Sequence, residues 1–223
     1  AAIDAVEGRC HDAAPLIHVV DREGDQYRLM SNVIARGSFF VVRAQHDRKV
    51  SGKQTIWGAI EDAQVIFDRE VALSRRRPKH KRAAHGPRDA RVAKLGVSAT
   101  PLEIERSRAP GNEGTPATLS VNVVRVAEMN PPTDEVPVEW VLVTNLPVQT
   151  TEQIARIIDI YRARWTIEEL FRAVKSGCGY EKLQLENEHS LRNALAVILP
   201  IAWQMLLLRQ ISRAKPDRPA ADV

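Results

Sequence analysis

Cysteine is scarce in this sequence. Only Cys10 and Cys178 occur among 223 residues, far apart and without a second cysteine or a suitably spaced histidine beside either. That excludes a disulfide framework and a cysteine-based zinc site, and a reducing cytoplasm is the compartment that fits. Long hydrophobic runs are lacking too. The most apolar segment, Ala194 to Leu208, contains Pro200 and Gln204 and is too short to span a bilayer, so it is expected to be a buried helix in a protein with no membrane partner. The chain opens on Ala1-Ala2-Ile3-Asp4, with no initiating methionine and no signal peptide, and the expectation is a fragment ending in a flexible tail, 213–223.

What is present is enough for one sizeable core with an insertion, or for two small domains, since 44% of the residues are hydrophobic. The formal charge of +4 and a pI near 9.3 admit nucleic acid as a partner, although charge of this size equally describes a solvated basic surface.

Leu16 to Val20 is a short run rich in branched side chains and reads as a buried strand. It ends abruptly in Asp21-Arg22-Glu23-Gly24-Asp25, so carboxylates gather at a strand end. Phe39 to Val42 reads as a neighbouring strand that again ends in polar residues, Arg43 to Lys49, and the pair suggests an α/β layer. From about Ser51 to Pro137 the pattern changes to alternating stretches, Pro101–Glu105 and Leu119–Val126, typical of half-buried antiparallel strands. Ahead of them lies a basic segment with Arg75, Arg76, Arg77, Lys79, Lys81, Arg82, Arg88, Arg91 and Lys94, a composition shared by mobile solvated loops and binding surfaces. Val138 to Val143 is another strand, and the rest reads as helical. Thr150 and Gln153 have the form of a capping box, and Gly177 is a helix stop.

On a helix between those signals, at about 100° per residue, Tyr161, Arg164, Glu168 and Lys175 fall within an arc of roughly 60°, with Trp165 and Arg172 at its border. Ile167, Leu170, Phe171 and Val174 form an adjoining apolar face. One face thus presents a carboxylate among three groups able to bind phosphate. The same spacing makes Arg164 and Glu168 an ordinary i,i+4 ion pair. A carboxylate from a strand end and another from a helix can share a divalent ion, and oxygen ligands of this kind suit Mg²⁺ or Mn²⁺.

Tyr161, Arg164, Glu168 and Lys175 reproduce the Tyr-x2-Arg-x3-Glu-x6-Lys signature of insertion-sequence transposases that use an Asp-Asp-Glu triad, and the chain resembles the hairpin-forming, cut-and-paste branch of that family. The segment from Asp21 to Asp25 is similar to that around the family's second catalytic aspartate. Phe40-Val41-Val42-Arg43 with His46 looks like the family's next strand, and the region from Ala127 to Pro147 also resembles the family. The resemblance implies a ribonuclease-H-like α/β core interrupted by a β-rich insertion. The core's first part would be 1–56, the insertion with its basic loop 57–137, and the second part with the catalytic helix 138–212. It implies Asp21 and Glu168 as catalytic metal ligands for Mg²⁺ or Mn²⁺. Tyr161, Arg164 and Lys175 would contact phosphates, Arg43 and Trp165 DNA, and Trp140 a flipped base. The partners it implies are double-stranded DNA, as transposon ends and target, and a second subunit in a homodimer of the full-length protein.

The family's first catalytic aspartate lies on an earlier strand, for which this sequence has too few residues upstream of Asp21. The expectation is therefore a core lacking its amino-terminal part and, alone, weakly active or inactive. Two alternatives stand beside it: a non-catalytic DNA-binding remnant that interferes with a full-length transposase, and an RNA-binding module acting through the Arg75 to Lys94 segment.

Overall fold

The computed structural model describes residues 2–10, 15–52, 54–73, 75, 88–217 and 219. Most of the basic segment, 76–87, lies outside the described residues. The chain divides into two compact units, Ala1–Tyr161 and Arg162–Val223.

The first unit is built on a six-stranded mixed sheet in the order β1-β2-β6-β5-β4-β3. Its strands are β1 (Ile17–Val20), β2 (Phe39–Arg43), β3 (Phe67–Leu73), β4 (Arg91–Glu105), β5 (Thr118–Glu128) and β6 (Glu139–Thr144). β1 and β2 are parallel, with Val20 opposite Val42, and are linked by α2 (Tyr27–Ala35); every other pairing is antiparallel. β3, β4 and β5, all drawn from 57–137, extend the same sheet that β1, β2 and β6 form.

β2 shows why the strands are so apolar. Phe40, Val41 and Val42 are each fully buried, yet Phe40 and Val42 join one core and Val41 another. Successive side chains point to opposite faces, so a strand covered on both sides needs apolar residues throughout rather than alternately. One core lies under α2 and α3 (Ile56–Glu61) and includes Tyr27, Met30, Val33 and Ile60. The other lies under α4 (Thr151–Ala163), whose Ile154, Ile157, Ile158 and Tyr161 recur at helical spacing against Leu95, Val97, Val124 and Leu142. The sheet is thus the middle layer of this unit. α4 begins as its sequence requires: Gln153 N donates to Thr150 Oγ1 at 3.3 Å and Thr150 N to Gln153 Oε1 at 3.2 Å, a complete capping box.

The second unit is helical, with α5 (Trp165–Arg172), a π-helical turn at Ala173–Gly177 and α6 (Glu188–Ala214). Arg209 Nη2 bonds Glu169 Oε2 at 2.5 Å and Tyr180 Oη donates to Leu191 O at 3.2 Å, which ties α6 to the segments before it. Two expectations are corrected here. The apolar segment Ala194 to Leu208 lies within a helix of 27 residues, long and apolar enough to cross a membrane by length and composition. It is not a buried helix either, because only Ala202 and Leu206 are buried, while Val197 is 65% exposed and Leu208 54%. Apolar residues recur around most of this helix, and α5, the π turn and the short turn Tyr180–Lys182 packed against it cover only part of them.

Candidate active site

Asp21 stands immediately after β1. It caps the short 3₁₀ turn Arg22–Gly24, its Oδ1 accepting from Glu23 N at 3.2 Å. The turn folds back tightly on the strand: a Cβ at Gly24 would lie 2.7 Å from two Val20 side-chain atoms, so only glycine fits. Arg43 ends β2, and because Val20 is opposite Val42, Asp21 and Arg43 follow paired residues at neighbouring carboxyl ends of two parallel strands. Arg43 Nη2 donates to Glu139 O at 3.2 Å, which braces it along the sheet surface.

Trp140, in β6, is partly buried against the core under α4, and its ring meets that of Tyr161 with centroids 5.9 Å apart and planes tilted by 59°. The structure therefore brings these two predicted residues together as an aromatic pair. Tyr161 is only 7% exposed and belongs to that core.

The second unit carries the other predicted residues. The helix read as continuous through Gly177 is divided: α4 stops at Ala163, Arg164 is a turn residue, α5 follows, and Ala173–Gly177 winds as a π turn closed by Cys178 N to Ala173 O at 2.8 Å. Uniform winding at 100° per residue therefore fails beyond Arg172, because an i→i+5 turn advances each side chain by less. Arg164 Nη2 donates to Glu168 Oε1 at 3.0 Å, engaging one of the two carboxylate oxygens of a side chain that is 38% exposed. Lys175 Nζ lies 3.1 Å from Glu181 Oε1. Trp165 is 54% exposed at the start of α5.

Asp21 and Glu168 both offer carboxylate oxygens, the hard donors that Mg²⁺ or Mn²⁺ takes, so the chemistry of the donors fits such an ion. They fall in different units. Among the described residues no group of three or more His, Cys, Asp and Glu side chains is gathered to hold a metal.

Two residues that the sequence did not single out shape these segments. Asp25, 2% exposed, accepts from Gln45 N at 2.7 Å, His46 N at 2.8 Å and Arg48 Nη2 at 2.7 Å. This buried carboxylate joins the turn after Asp21 to the segment after Arg43. Its signal was an aspartate at the start of α2 with an arginine beyond the next strand, a pairing too distant for local spacing to reveal. Glu181 is the other, a carboxylate already holding Lys175.

A family model for the transposase DDE domain matches residues 7–203. The chain belongs to the transposase DDE domain family. Both strand-end residues, both aromatic residues of the Trp140–Tyr161 pair and the whole of α5 lie within the matched part of the domain. Transposase function in DNA transposition follows from this membership, with DNA as the partner class. The flanks of the basic segment are described, and there the domain neutralises its own charge: Arg91 Nη2 lies 2.8 Å from Glu135 Oε2 and also pairs with Glu128, while Lys94 Nζ lies 3.0 Å from Asp68 Oδ2.

Proposed function

We propose that this chain is part of the catalytic core of an insertion-sequence transposase with a ribonuclease-H-like arrangement. In this reading it hydrolyses a phosphodiester at a transposon end and then joins the freed 3′-hydroxyl to a target strand. The observation that carries the reading is the pair of strand ends holding Asp21 and Arg43, in a domain whose α5 presents Glu168 beside Arg164.

Asp21 and Glu168 are the proposed ligands of Mg²⁺ or Mn²⁺. When bound, such an ion supplies charge stabilisation at the phosphate and activation of the attacking oxygen. Arg164 and Lys175 hold phosphate oxygens through charge-assisted hydrogen bonds, which requires Arg164 to be shared between Glu168 and phosphate, and Lys175 to leave Glu181. Arg43 and Trp165 contact the DNA. Trp140, paired with Tyr161, offers a ring on which a displaced base can stack, as the hairpin-forming branch needs. Pairing of two transposon ends requires a homodimer of the full-length protein.

The test is strand cleavage of the cognate terminal DNA with Mg²⁺ or Mn²⁺, comparing this chain with the product of a coding frame extended upstream. The expected result is metal-dependent cutting by the extended protein. Glu168→Gln in the extended protein is expected to remove cutting while DNA binding persists. Equal cutting by the Glu168→Gln protein defeats the assignment.

The second reading is a DNA-binding remnant without catalysis that interferes with a full-length transposase. It predicts binding without cutting in both proteins.

A further inference from the structure

A groove of about 1010 Å³ in the first unit is lined by Asp25 to Arg28, His46 to Lys49 and the β4–β5 loop from Glu105 to Asn112. Its walls are fastened by bonds that exist before anything binds. Asp25 and Arg48 form the buried ion pair at one side. Tyr27, 2% exposed, donates from its hydroxyl to Pro116 O at 3.0 Å and so fixes the loop to α2. Within the loop, Asn112 Nδ2 donates to Ser107 Oγ at 2.8 Å, and Arg106 Nη1 to Thr115 O at 2.6 Å.

Arg28, Lys49, Arg106 and Arg108 are exposed along this rigid wall, against the exposed carboxylates Asp47 and Glu105. Asp47 is already occupied in accepting from Trp57 N at 3.0 Å. Arg28, Lys49 and Arg108 form no ion pair among the described residues. That contrasts with Arg91 and Lys94 elsewhere on the same sheet, each paired with a carboxylate. Concentrating unpaired positive charge in a concavity costs self-repulsion that a bound anion relieves. No Phe, Tyr or Trp ring is exposed in the groove, Tyr27 being buried, so it offers cations for phosphates but no such platform for stacking a base.

We propose that this groove binds the phosphodiester backbone of duplex DNA without regard to sequence, through Arg28, Lys49, Arg106 and Arg108, as a surface additional to the residues assigned above. The choice of DNA over other polyanions rests on the transposase reading. The surface takes duplex DNA of any sequence through its phosphates.

The test is equilibrium binding without divalent ions, over a range of salt concentrations, of two probes: a terminal-repeat duplex and an unrelated duplex of equal length. The protein is this chain and its Arg28→Ala/Lys49→Ala/Arg108→Ala variant, with Arg106 spared because it holds the loop. Loss of three phosphate contacts is expected to lower the salt slope by roughly 2–3 and the affinity by at least about tenfold. Loss shared by both duplexes is the result expected of a groove that reads only the backbone; loss confined to either duplex overturns sequence-independent binding. The Arg28→Lys/Arg108→Lys variant keeps the charge and is expected to keep the slope. Unchanged slopes for both probes in a folded triple variant overturn the proposal, as does loss of binding in the charge-preserving variant. Cutting by the Glu168→Gln protein is read separately, so failure of the groove and failure of the catalytic assignment are distinguishable.

Discussion

The two units solve the same problem, where to put apolar surface, in opposite ways. In the first, β2 hides Phe40 and Val42 on one face and Val41 on the other, and even a charged residue, Asp25, is buried with all its partners supplied. In the second, α6 leaves Val197, Trp203, Met205 and Leu208 at least half exposed. Layering on both faces of the sheet commits successive residues of a central strand such as β2 to a core, whereas a partly covered helix leaves most of its side chains in solvent.

That contrast can be broken most forcefully at Asp25. Asp25→Ala strands the Arg48 guanidinium, itself 9% exposed, in a buried place, and is expected to cost about 3–5 kcal/mol, measured by urea unfolding. Phe40→Ala empties a fully buried site and is expected to cost about 3–5 kcal/mol. Val197→Ser on α6, by contrast, is expected to stay within about 0.5 kcal/mol; an equal loss at Phe40 and Val197 would erase the distinction between the units. Gly24→Ala forces the turn off Val20 and is expected to cost about 1–3 kcal/mol. Because the same turn carries Asp21, cleavage by the extended protein is expected to fall more than its stability does.

The mildest effect concerns acid. The hydrogen bond from Arg91 holds the Glu128 carboxyl below the usual glutamate range, outweighing its burial, with Val138 N also donating to it at 3.1 Å. A carboxyl with a depressed folded-state pKa contributes stability that is complete above its unfolded value and disappears as pH falls through the folded one. Thermal stability is therefore expected to decline below the ordinary glutamate pKa, and Glu128→Gln is expected to flatten that decline. An unaltered acid profile in Glu128→Gln would mean that the ion pair contributes nothing to it.

Much of the first unit was legible in the sequence because its signals are local. Branched apolar residues over Leu16 to Val20 and Phe39 to Val42 mark β1 and β2, and alternation over Leu119 to Val126 marks β5. Thr150 and Gln153 sit close enough along the chain for the capping box to be read from spacing alone. The four-residue signature, running from Tyr161 on α4 through Glu168 on α5 to Lys175 on the π turn, was likewise visible as a pattern, and the strand-end position of Asp21 came from where the apolar run stops.

The rest depended on neighbours that spacing does not reveal. The sequence by itself determined the strands, the helix start and the family pattern, since propensity, period and capping act within a few residues. Only the tertiary structure decided that Asp25 is buried against donors at Gln45, His46 and Arg48, that Lys175 is held by Glu181, and that the helix bearing Glu168 is interrupted at Arg164 and widened after Arg172. It alone decided that α6 stays largely uncovered and that Arg28, Lys49, Arg106 and Arg108 line one groove. The Asp25 contacts and the groove depend on which segments meet in space, and residues 20 or more positions apart leave no periodic trace of meeting.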